Sequence, residues 1–222
     1  MVYKIINNRY RVIIESFILA VVIFLIGFSI GFYIENYRTN QIIDQYNSNE
    51  IQSLDLKLQN YYYQIMSSSS CESAIEQNFI FADNLYSQGL ELEKFEESNK
   101  ISDSLKVEKK RYVLLKTELW LNSILLKQKC KNPFDTVVYL YTNEPGTEKG
   151  VEQEAISNIL KELKNERGNT MVLLPIAGDI GLGAVNLQMK NYNITSLPAI
   201  LINEKTVIYG LHPVEDIDKY LK

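Results

Sequence analysis

From Phe17 to Ile34 the chain reads FILAVVIFLIGFSIGFYI and carries no charge. A helix needs about 20 mostly apolar residues to cross a hydrocarbon core of roughly 30 Å. Val12-Ile13-Ile14 adds a further apolar turn below Glu15, so a membrane-spanning helix is predicted over residues 12–34, with the lipid bilayer as its partner. This segment divides the rest into a short stub before it and a folded body after it.

The flanks set the orientation. Residues 1–11 hold Lys4, Arg9 and Arg11 and no acid, which makes the stub +3; the remaining 20 basic and 27 acidic residues leave the rest at −7. Positive charge beside a span favours the cytoplasmic side, and the far flank offers only Glu35 and Arg38. The reading is a cytoplasmic stub over 1–11 and an extracytoplasmic body. A cleaved signal peptide is the alternative, with an apolar core of about 7–15 residues followed by small residues. This core is longer, and Gly31-Phe32-Tyr33-Ile34-Glu35 makes a poor cleavage site, so an uncleaved signal-anchor fits better. Gly27 and Gly31 form a GxxxG spacing, which lets two helices approach closely. They are the helix-packing candidates, and a homodimer is the association they would serve.

The acidic body argues against nucleic acid as a partner, because phosphate backbones demand basic patches. Two cysteines, both beyond the span, predict one disulfide in an oxidising compartment.

Past the span, residues 35–132 read as helices. Ile42, Tyr46, Leu54, Leu58, Tyr61 and Ile65 recur at spacings of three, four or their sums, which continues the membrane helix outward with a break expected near Asn47-Ser48-Asn49. Of Tyr61-Tyr62-Tyr63, packing of one or two with exposure of the rest is expected. Ser67–Ser70 suits a helix start, since serine hydroxyls accept hydrogen bonds from unpaired first-turn N–H groups. A second helix follows from Cys71 to about Gly89, with Ala74, Ile75, Phe79, Ala82, Leu85 and Tyr86 on one face. Gly89 either ends it or interrupts it. After a loop at Ser98-Asn99-Lys100, a third helix runs from Ser102 or Asp103 to about Gln128. Its stripe is Leu105, Tyr112, Leu115, Leu119, Trp120, Ile124 and Leu125, and Pro133 stops it.

Cys71 starts the second helix and Cys130 ends the third, so an antiparallel hairpin would bring them together. A bridge there closes a loop of about 60 residues, worth roughly 4 kcal/mol in the chain-entropy model. A structural staple is the favoured reading. The rival is a redox-active pair, because reactive thiols sit at electropositive helix N-termini; Cys71 meets that condition, although Glu72 opposes a thiolate.

After Pro133 strands and helices alternate. Thr136–Tyr141 and Met171–Ile176 read as strands, the second with Pro175 at an edge or bulge. Val151–Glu166 and Gly181–Tyr192 read as helices, Pro198–Ile202 and Thr206–Gly210 as a hairpin around Asn203-Glu204-Lys205, and Val214–Leu221 as a closing helix. The strand–helix–strand start calls for a parallel pair with a right-handed crossover. The predicted fold class is α+β: an N-terminal membrane helix, a helical hairpin region, and a C-terminal α/β module with a central mixed sheet over 133–222.

The order βαβαββα, with Tyr192-Asn193-Ile194-Thr195-Ser196-Leu197-Pro198-Ala199-Ile200-Leu201-Ile202-Asn203 inside it, resembles the thioredoxin fold. Pro198 matches the family's cis-proline, Gly210 the glycine after the last strand, and 214–221 the closing helix. The resemblance covers about 40% of the chain. It departs where the chemistry lies. The family's oxidoreductases carry CxxC right after the first strand, where the helix dipole favours a thiolate; here that place holds Thr142-Asn143-Glu144-Pro145-Gly146. Without a thiolate there is no nucleophile for disulfide exchange. The resemblance therefore implies a non-catalytic platform that holds an extended peptide or protein partner outside the cytoplasm, with Asn143, Glu144, Leu197 and Pro198 as peptide-binding candidates.

Three further signals have simple readings. Gly178–Gly183 is a loop into a helix, because no GK[ST] follows its glycines. His212 has no second histidine or nearby cysteine, so neither metal nor cofactor is expected. Asn193-Ile194-Thr195 is an N-glycosylation sequon, and Asn193 is its candidate acceptor.

Overall fold

The computed structural model describes residues 8–65, 70–98, 103–131 and 134–221. Helix α1 spans Asn8–Ile65, α2 Cys71–Ser98 and α3 Asp103–Lys129. Strand β1 (Asp135–Tyr141), helix α4 (Thr147–Arg167) and strand β2 (Met171–Ala177) follow. Helix α5 (Gly183–Asn191), strands β3 (Ala199–Ile202) and β4 (Thr206–Tyr209), and a short α6 (Val214–Asp218) complete the chain. The basic stub's side chains, those of Ile42 and Tyr46, the Ser67–Ser69 run, Asn99-Lys100 and Pro133 lie outside the described residues.

The chain divides into two units, 1–47 and 48–222. In the first, Val12–Tyr37 is one helix long and apolar enough to cross a membrane, with mean hydropathy 2.7 and no part of it buried. Gly27 and Gly31 lie on it with open space around them. No break occurs at Asn47-Ser48-Asn49; the helix runs through.

The second unit joins helices and sheet through one core. The sheet order is β2-β1-β3-β4, with β1 and β2 parallel and the other neighbours antiparallel. This is the mixed sheet that the strand–helix–strand start predicts, and Pro175 sits on edge strand β2, where its missing N–H costs least. Successive strand residues face opposite sides. Val138, Leu140, Leu174, Ile176 and Leu201 enter the large core with α1, α2 and α3; Val137, Tyr139, Met171 and Ile200 pack with Ile156, Leu160 and Leu163 of α4 and Ile217 of α6. Strand β1 is covered on both sides, hence its continuous β-branched and aromatic run.

Helix α3 is the axis of this unit. Val113, Leu115, Leu119, Trp120 and Leu126 are all buried, and so are Thr117, Asn122, Ser123 and Lys127 between them. A helix buried on several sides has little amphipathic contrast, and its polar residues need partners. They have them. Asn122 accepts a bond from Asn60 and donates to the Leu56 carbonyl; Ser123 accepts from Asn78 and donates to the Leu119 carbonyl.

The α1 stripe corrects the sequence reading. Leu54, Leu58, Tyr61 and Ile65 are exposed, and the buried face is instead that of Leu56 and Tyr63. The reason is hydrogen bonding: Ser53 reaches Glu118, Asn60 reaches Asn122 and Gln52 accepts from Gln88. These bonds turn the polar side of α1 toward α2 and α3. Of the three tyrosines, Tyr63 is buried and Tyr61 and Tyr62 are exposed, as expected. Gly89 neither ends nor breaks α2. A Cβ there would lie 2.1 Å from the Tyr112 hydroxyl, so the glycine makes room for that ring.

Candidate functional site

Three segments converge at the C-terminal end of β1. Buried Gln153 on α4 clamps the first loop residue: its Oε1 accepts from Thr142 N at 2.8 Å and its Nε2 donates to the Thr142 carbonyl at 3.1 Å. Asn143 N donates to Asp179 Oδ1 at 2.8 Å, and Gly178 N donates to the Tyr141 carbonyl at 2.8 Å. A Cβ on Gly178 would meet the Leu197 methyls at 2.9 and 3.0 Å. The loop after β2 thus links Asn143 to Leu197. The Leu197–Pro198 peptide bond is cis. Asn143 and Leu197 are half-buried, Glu144 is exposed and Pro198 is buried.

Beside this loop opens a cavity of about 340 Å³, between α2 and α3 on one side and β1, α4 and β2 on the other. Leu90, Val113, Pro145, Pro175 and the tyrosine rings make its walls mainly apolar. Lys116 enters this lining while only 7% exposed. Its ammonium stands 4.1 Å from the centre of the Tyr112 ring and makes no hydrogen bond or ion pair among the described residues. Burial pulls its pKa from the ordinary 10.5 down to about 7; the Glu93 carboxylate opposes that shift and Lys109 adds to it. Asn143 Oδ1 is also buried without a partner. The phenols remain neutral donors: Tyr112 bonds the Leu85 carbonyl and Tyr139 the Gln153 carbonyl, and burial raises both pKa values.

The sequence reading singled out Asn143 as a peptide-binding candidate and did not single out Lys116. The signal was present. Lys116 lies four residues after Tyr112 and three before Leu119, so the helical period already put it on the buried stripe.

This lysine makes a stability prediction with a definite sign. Between pH 7 and 10.5 the unfolded chain binds a proton that the folded one releases, so stability rises with pH across that window. Lys116→Met removes the buried charge at similar volume. It is expected to melt several degrees above the parent at pH 6, with the gap closing toward pH 10.5, by differential scanning calorimetry. An equal gap at both pH values contradicts it.

Cys71 and Cys130 are joined in a disulfide, with Cα atoms 5.7 Å apart, where α2 begins and α3 ends. Asn193 is exposed in the turn after α5, with φ 54°. His212 Nε2 lies 3.1 Å from the Tyr209 carbonyl. Among the described residues, no group of three His, Cys, Asp or Glu side chains is placed to hold a metal ion. No known family model matches the chain, and no curated protein matches it.

Proposed function

We propose that this chain is a membrane-anchored, non-enzymatic binding or scaffolding protein whose body stands outside the cytoplasm on a thioredoxin-like module. The observation that carries the reading is the pairing of cis-Pro198 before β3 with a sulfur-free Thr142–Gly146 loop after β1. The strand–helix order, Gly210 and closing helix α6 support the same resemblance. A thiol at that loop would have spoken for disulfide exchange. The orientation rests on the +3 stub. It is tested by single-cysteine labelling in sealed vesicles: a reporter at Glu144 should label only from outside.

The rival reading is a thiol–disulfide oxidoreductase that uses Cys71 and Cys130. Thiol trapping against defined redox buffers separates the two. A structural bridge is expected to stay formed down to about −300 mV or below, whereas a potential near −200 mV belongs to working oxidoreductases.

A second reading has its own observation. Ile51, Leu54, Leu58, Tyr61 and Ile65 are 56–83% exposed on one side of α1, at the 3–4 spacing of a helix-packing seam. This supports an accessory subunit of a membrane complex. Leu54→Glu/Leu58→Glu is expected to leave the melting temperature within about 2 °C, as surface substitutions do. On that reading it shifts the native complex to a smaller species in mild-detergent native gels; an unchanged species leaves the tethered-module reading alone.

A further inference from the structure

Lys116 poses a specific chemical question. A cation this buried is retained only at a cost unless something pairs with it. Among the described residues, the Tyr112 ring faces its ammonium at 4.1 Å. Around it stand Tyr86 and Glu93 from α2, Lys109 and Tyr112 from α3, Tyr139 and Tyr141 from β1, and Glu154 and Lys161 from α4. The cavity volume of about 340 Å³ falls within the range of small-molecule sites, which are mostly apolar with a few convergent polar groups.

Each lining group narrows what fits. The lining holds Lys109, Lys116 and Lys161 against Glu93 and Glu154, with no arginine, and Lys116 is the buried lysine among them; one net positive charge, centred on a buried ammonium, suits a carboxylate better than a dianionic phosphate. The apolar walls take an aryl or alkyl body. Asn143 Oδ1, a buried acceptor without a donor, takes an N–H next to the acid. We propose that this cavity binds a small apolar monocarboxylate, Lys116 holding the acid and Asn143 the adjacent amide N–H. The free acid and the C-terminal residue of a peptide share this chemistry. No α1 residue lines this cavity, and neither does Leu197 or Pro198.

Binding is coupled to protonation. The carboxylate pairs with the ammonium form, and Glu93 and Glu154 hold the same charge as the ligand at the rim, while Lys109 and Lys161 hold the opposite one. Since the Lys116 pKa lies near 7, affinity should fall about tenfold per pH unit above that point.

The test uses the full-length protein in detergent and isothermal titration calorimetry with N-acetylphenylalanine, its uncharged primary amide, and 3-phenylpropionate. N-acetylphenylalanine is expected to bind at least tenfold more tightly than its amide at pH 6.5. Lys116→Met should abolish that preference, and Lys116→Arg should keep binding while flattening the pH slope. Asn143→Ala should weaken N-acetylphenylalanine several-fold and leave 3-phenylpropionate unchanged, which separates the two contacts. A blocked peptide ending in phenylalanine tells the sources apart: binding equal to the free acid points to peptide ends, and loss of binding to a free metabolite. Equal affinity for acid and amide, retained preference in Lys116→Met, or no heat from any probe up to 20 mM with a cooperatively melting protein would overturn the proposal.

Discussion

Replacing Lys127 by alanine is expected to destabilise the folded body by about 3–5 kcal/mol, the loss that follows when one partner of a buried ion pair is removed. Lys127 Nζ donates to Thr136 Oγ1 and Asn203 Oδ1 at 2.8 Å and to Glu204 Oε2 at 2.9 Å. All three donor positions are satisfied, and the two side chains are only 8% and 13% exposed. Glu204 Oε1 also accepts from Thr136 Oγ1 at 2.6 Å and from Trp120 Nε1 at 3.1 Å. One carboxylate thus ties the end of α3 to β1 and to the β3–β4 turn. It is held where a non-glycine residue rarely goes: Asn203 and Glu204 have φ of 52° and 55°, as the two central residues of a type I′ turn require. Removing the lysine strands the carboxylate. Urea titration of Lys127→Ala, Glu204→Gln and the double variant checks this: the double variant should lose less than the sum of the singles. In a body of this size the single loss corresponds to a fall of about 10 °C in melting temperature. A loss below about 1 kcal/mol would mean that the pair behaves as an exposed one.

The elements that the sequence foretold are those whose apolar pattern and burial coincide. The sheet strands are such a case: β1 is buried on both faces, and its residues say so. The β3–β4 hairpin at Asn203-Glu204-Lys205 was legible from turn chemistry, and the hairpin of α2 and α3 from the cysteine positions. What escaped is where polar atoms decide. On α1 the apolar residues Leu54, Leu58 and Tyr61 look outward because Ser53, Asn60 and Gln52 find partners inward; periodicity counts apolar residues and cannot see those bonds. The same blindness hid Lys127, Glu204 and Trp120 as one network, since its members lie up to 84 residues apart. At the candidate site, Asn143 was singled out, as a peptide-binding candidate, because it follows a recognisable strand. Lys116 was not, because charged residues on a helix are normally assigned to water. Gly89 was ambiguous for a related reason: only the Tyr112 ring, 23 positions later, explains it.

Removal of the disulfide by Cys71→Ala/Cys130→Ala is the second large effect, expected at about 4 kcal/mol. The bridge spans 59 positions, and closing a loop of that length lowers the entropy of the unfolded chain by about that much. The native state has reason to keep its geometry without the bond. Phe79 packs edge-to-face on Phe134 with ring centroids 5.3 Å apart, and Ala74 and Leu126 are buried in the same core. The two accounts of disulfide stabilisation therefore make different predictions here. If the effect acts through the unfolded state, the circular dichroism spectrum of the native protein is unchanged. The urea midpoint falls, and the m-value rises because the open chain exposes more surface. If the bond mainly holds the ends of α2 and α3 together, amide exchange near Cys71 and Cys130 accelerates in native conditions while the global midpoint moves little. The length of the loop favours the first outcome. A global loss under about 1 kcal/mol with fast local exchange would overturn it, and would make the base of the hairpin the least stable part of the body.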